Sequence, residues 1–128
     1  MGKNYVFLRS YVNLKEILTD HELASLGDAY VNFAYSLALS NQNRKPSGAK
    51  VKGSLLAEAL KRAGLREHLP ARMTRHHMAD AAEALIVHAW LTGTMTLDET
   101  VSILVKTRET AEALCSLLST AKNRIKIS

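Results

Sequence analysis

The chain has 128 residues, 47% of them hydrophobic, with only two prolines and six glycines. That length and composition imply one compact, helix-rich domain with a genuine core and exclude a disordered chain. The net charge of +5 suits an anionic partner, the lone Cys115 excludes an internal disulfide and a cysteine-based metal site, and no apolar run reaches the roughly 18 residues of a membrane span.

The opening residues lack the basic-then-apolar layout of a secretory signal, because polar residues return at Arg9 and Ser10. Position 6 is Val, where a myristoylation signal needs Ser or Thr. These features predict a cytoplasmic protein. Tyr5 to Leu18 alternates loosely and predicts a short helix around Leu14–Leu18. Thr19-Asp20-His21-Glu22 reads as a capping box, with Thr19 at the cap and Glu22 three residues on. The helix that follows, to about Ser40, carries Leu23, Leu26, Tyr30, Phe33 and Leu37 on one stripe. Ala24, Val31, Ala34 and Tyr35 occupy its other side, so it reads as apolar nearly all round. Such a helix belongs at the centre of a bundle or at a subunit interface.

Asn41 to Gly53, with Pro46 and Gly48, reads as a polar, basic loop. Gly53 or Ser54 opens a helix through Leu55 to Ala63, stopped by Gly64. Leu69 and Pro70 lead into a long helix expected from about Ala71 to Leu91, with Met78, Ala81, Ala82, Leu85, Ile86, Ala89 and Trp90 inward. Gly93 ends it. Thr96-Leu97-Asp98-Glu99 is a further capping box, opening a helix through about Lys106, and a last helix spans roughly Thr110 to Lys122. Strand signals are nearly absent, so the expected architecture is an all-α bundle.

Two helical segments place acid among apolar residues. Leu23 to Tyr30 contains Gly27 and Asp28, and Ala79 to Ile86 contains Asp80 and Glu83. Ionised carboxylates are costly to bury unless they are paired or hold a metal, so the two segments suggest an acid cluster where the helices meet. Asp80 and Glu83, three apart, share a helix face; Asp28 would face them, and Gly27 would let another backbone come close. Magnesium takes hard oxygen ligands and keeps several waters, which three such carboxylates would allow. The plainer reading makes Asp80 and Glu83 surface acids paired with Arg75, His76 or lysines. His76 and Asp80 are spaced four apart, but no second histidine pair stands in register, and His21, His68 and His88 are scattered. No Gly-x-Ser-x-Gly elbow or phosphate-cradling glycine loop is present.

Residues 44–75 hold Arg44, Lys45, Lys50, Lys52, Lys61, Arg62, Arg66, Arg72 and Arg75 against Glu58 and Glu67. This is the electrostatic footprint of a phosphate-backbone binder. Aromatics make up only 5% of the chain, which argues against base stacking on single strands.

These strings resemble the ribonuclease III family. His21-Glu22-Leu23-Ala24-Ser25-Leu26-Gly27-Asp28-Ala29 lies in register with the signature Glu-Arg-Leu-Glu-Phe-Leu-Gly-Asp-Ala. Ala79-Asp80-Ala81-Ala82-Glu83-Ala84-Leu85 matches the family's second acidic segment, and Leu55 to Leu65 its leucine-rich helix ending in Gly-Leu. The resemblance covers about residues 20–105 and makes the whole chain, 1–128, a single domain of this type. It implies a helical endonuclease domain that acts as a homodimer on double-stranded RNA, using magnesium, with manganese as a substitute. It implies metal-site and catalytic roles for Asp28, Asp80 and Glu83, and leaves the gripping of RNA to basic residues such as Lys45, Lys50, Lys52, Arg72 and Arg75. The chain departs from the signature at His21, at Ala24 (usually a carboxylate metal ligand) and at Ser25 (usually a dimer-locking aromatic). Glu22 cannot stand in for position 24, since two residues along a helix is about 200° around it. Alanine at this place is shared with the small Mini-III branch, which similarly lacks a separate RNA-binding domain. The alternative is a domain that keeps the fold and binds RNA as a structural subunit without cutting it.

Overall fold

Among the described residues the chain forms six helices, α1 Leu14–Leu18, α2 His21–Asn43, α3 Gly53–Arg62, α4 Arg75–Leu91, α5 Leu97–Val105 and α6 Thr110–Arg124, with a single 3-10 turn at Arg66–His68. The computed structural model describes residues 5–125, so residues 1–4 of the segment read for targeting signals lie outside the described residues. Among the described residues there are no strands, as the all-α expectation required.

The hub is α4. Ala79, Ala81, Ala82, Ala84 and Ala89 are all buried, and these small side chains let neighbouring helices approach it closely. It packs against α1, α2, α3 and α6. Leu85, Ile86, Val87 and Leu91, each at most 2% exposed, fill the layers between. The sequence pattern placed α2 at the centre of a bundle or at a subunit interface. The central place falls to α4, and α2 lies to one side with Leu26 and Phe33 exposed at 40% and 55%. Its inward face is Leu23, Ala24, Gly27, Tyr30, Val31, Ala34 and Ala38. The small residues of α2, more than its largest ones, select the face that docks, because they permit the tightest approach to α4.

Two helix starts differ from the sequence reading for local reasons. The cap of α2 is Asp20, whose carboxylate accepts from the Leu23 N–H at 3.1 Å and from the Tyr11 hydroxyl at 2.7 Å. Thr19 is taken up by the end of α1, where its hydroxyl donates to the Lys15 carbonyl. The long helix α4 begins at Arg75, since the Arg66 guanidinium donates to the carbonyls of Pro70 and Ala71 at 2.8 and 2.7 Å and holds that stretch as a loop. Thr74 then caps α4 through the His77 N–H. The Thr96–Glu99 capping box forms as the sequence indicates. Tyr30 stacks on Trp90 at 5.2 Å between ring centres and donates to the Thr100 hydroxyl, tying α5 to α2.

Helices α2 and α4 approach closely at Gly27. A methyl group placed there would lie closer than 3.0 Å to the backbone carbonyl of Glu83. A backbone carbonyl cannot swing aside as a flexible side chain could, so the helices would have to separate. Gly27→Ala should therefore destabilise the protein by about 3 kcal/mol, the upper end of the overpacking range, measured by urea unfolding.

His88 is buried at 6% exposure, with the Tyr11 ring edge-on to it and its Nδ1 without a hydrogen-bond partner. Burial lowers its pKa below the usual 6.5. The unfolded chain then takes up a proton near pH 6.5 that the folded chain refuses, so stability is lost as pH falls below that value. His88→Phe should gain stability relative to the parent, with the gap in melting temperature wider at pH 5.5 than at pH 7.5.

Candidate functional site

The α2–α4 crossing opens at one end into a cleft of about 390 Å³, closed on the third side by Lys50, Val51 and Gly53. Ala24 and Asp28 face it from α2, and Asp80 and Glu83 from α4. The three acids named from the sequence are thus brought to one place, but in a different order of burial. Glu83 is the enclosed one, only 7% exposed, whereas Asp28 is exposed. The reason is geometric: Gly27 is the point of contact with α4, and Asp28 stands about 100° further round the helix, on the rim.

The electrostatics follow from that enclosure. Burial, then the hydrogen bond and the charge of Asp28, then the charge of Asp80, push the Glu83 carboxyl up to about 8, while the Lys50 ammonium pulls the other way. Glu83 therefore holds a proton near neutral pH. Asp28 is steadied by Asn32, whose Nδ2 donates to its Oδ1 at 3.0 Å. His21 Nδ1 and His76 Nε2 each lie 3.9 Å from Asp80 Oδ2. The His77 ring centre lies 5.5 Å from that of His21 and 6.0 Å from that of His76. The histidine at position 21, which looked isolated in the sequence, is gathered to the pair on α4 by the helix crossing.

Among the described residues no three His, Cys, Asp or Glu side chains form a ready-made metal cage. The donor set nonetheless suits magnesium, which uses one or two carboxylates plus water and needs no closed cage. A carboxyl driven to hold a proton by its neighbours marks a cluster short of positive charge, which a divalent cation would supply.

Of the basic residues, Lys50 alone lines the cleft. Lys50 is itself exposed, as are Lys45, Lys52, Arg72 and Arg75, with Lys52 directly before α3 and Arg75 at the start of α4. Arg62 is engaged by Glu58 and Glu109, and Arg66 by the loop carbonyls already described. Two of the nine basic residues in this region are therefore structural. A polar ladder went unread in the sequence. Asp28, Asn32, Ser36 and Ser40 recur at four-residue spacing on α2, the one signal that could have revealed it. Asn32 Oδ1 accepts from the Val51 N–H at 2.8 Å, the Ser36 hydroxyl from the Ala49 N–H at 2.9 Å, and the Ser40 hydroxyl from the Ser47 N–H at 2.9 Å. The segment expected to be a plain basic loop is thereby laid along α2.

The sequence profile of ribonuclease III matches residues 21–126. The chain belongs to the ribonuclease III family. The match spans both acid-bearing helices and reaches past the region of resemblance noted from the motifs. Among curated proteins no match to the sequence is found. Ribonuclease III proteins act on double-stranded RNA and use a divalent metal. In this ribonuclease III domain Ala24 is 4% exposed and forms part of the cleft wall, so the departure from the family signature falls at the site itself.

Because Glu83 binds its proton more tightly folded than unfolded, its contribution to stability is full below about pH 4.5 and is lost as pH rises through about 8. Glu83→Gln removes that penalty. In metal-free buffer the variant should melt higher than the parent, and the difference should grow between pH 5 and pH 9.

Proposed function

We propose that this chain is a magnesium-dependent endoribonuclease that cuts double-stranded or structured RNA. The observation that carries the reading is the convergence of Asp28, Asp80 and Glu83, from two helices, on one open cleft. Asp28 and Asp80 offer oxygens at the rim and Glu83 one from the floor, so together they would hold the ion. A bound magnesium ion would lower the pKa of water and offset charge on the scissile phosphate. Asn32 orients Asp28, and His21 and His76 flank Asp80. Lys45, Lys52, Arg72 and Arg75 would grip the duplex by phosphates and shape, since A-form RNA offers side chains little else. The exposed Leu26 and Phe33 on α2 suit a homodimer, in which a second copy would cover them.

A second reading has its own observation. Ala24 presents no carboxylate to the cleft, which favours an RNA-binding structural subunit without catalysis.

The two are separated with a duplex RNA in magnesium buffer. The nuclease reading expects cleavage that chelation stops, and a loss of at least about 100-fold in Asp28→Asn and Glu83→Ala, with melting curves showing both variants folded. Cleavage surviving in either variant overturns it. The binder reading expects salt-dependent duplex binding with no cutting.

A further inference from the structure

Lys50 differs from the other basic residues in where it is held. The loop that carries it is fastened along α2 by three side chains of the polar ladder, Asn32, Ser36 and Ser40, each accepting a backbone N–H. The last fastening is also the most informative. Asn32 donates to Asp28 through its amide nitrogen and accepts from Val51 through its oxygen, so one side chain sets both an acid of the site and the residue next to Lys50. Val51 itself is buried at 9% exposure, which anchors the chain immediately after Lys50. A lysine at a loop tip loses much side-chain freedom when it binds anything. Here the backbone on one side is already fixed, and the side chain lines the cleft that contains Asp28, Asp80 and Glu83.

A cleft that presents the carboxylates of Asp28 and Asp80 repels the phosphodiester it is meant to receive. One cation in the same wall changes that balance locally, and a pre-positioned one costs no reorganisation when charge develops. We propose that Lys50 is a catalytic residue whose ammonium contacts the scissile phosphate in the acid cleft, distinct in role from the lysines and arginines that grip the duplex elsewhere. This rests on the nuclease reading above.

The test compares Lys50→Gln and Lys50→Arg with the parent, all on the full chain. Single-turnover cleavage of a duplex RNA at saturating protein should fall about 100-fold in Lys50→Gln and be partly restored in Lys50→Arg. Duplex affinity, measured with calcium in place of magnesium, should change less than about threefold, since a single phosphate contact among many is lost. Manganese binding without RNA, followed by calorimetry, should tighten at least about threefold in Lys50→Gln, because a like charge has left the cleft. An unchanged rate at saturation overturns the proposal, as does a loss confined to duplex affinity. If the parent itself cuts no duplex, the nuclease reading has failed, and the manganese comparison decides Lys50 separately. Tighter binding then supports an ammonium acting at the acids, and unchanged binding overturns it.

Discussion

The close approach of α2 to α4 at Gly27 is the constraint on which the rest depends. Only a residue without a side chain fits against the Glu83 carbonyl, and the contact fixes the two helices in both distance and register. Glu83 is thereby enclosed, Asp28 is set on the rim beside it, and His21 is carried to Asp80 and the α4 histidines. A shift of one residue in this contact would turn Asp28 about 100° away. Packing and chemistry are therefore not separate features here: the helix contact that stabilises the core also assembles the acids.

That assembly has an energetic cost, visible in Glu83. A carboxyl raised to about 8 by burial and by two neighbouring acids is strained electrostatically in the metal-free protein. A single replacement by glutamine would relieve it. The polar ladder on α2 fastens the Lys50 loop to the helix that also carries Asp28, so the cation and the acid are placed by one element.

The helical fold was largely legible from residue patterning. Amphipathic spacing and the stops at Gly64 and Gly93 located the helices, and the Thr96–Glu99 box marked the start of α5 correctly. Patterning erred where two local signals competed for one residue. Thr19 looked like a cap for α2 but is used at the end of α1, and the segment from Ala71 looked helical until the Arg66 guanidinium claimed its carbonyls. It left open which face of α2 is inward. Leu26 and Phe33 dominate a hydrophobicity count, yet close packing rewards the small residues Ala24, Gly27, Ala34 and Ala38.

The sequence by itself determined the class of fold and the family, and singled out the three acids as candidates, because helical periodicity and short motifs are local properties of the chain. Only the tertiary structure decided that Glu83, not Asp28, is the buried acid, that His21 joins His76 and His77, and that Lys50 lines the cleft, alone among the described lysines and arginines. Burial, field and proximity across residues distant in sequence arise when helices dock. The docking of α2 on α4 turns on one glycine, whose importance lies in what stands opposite it.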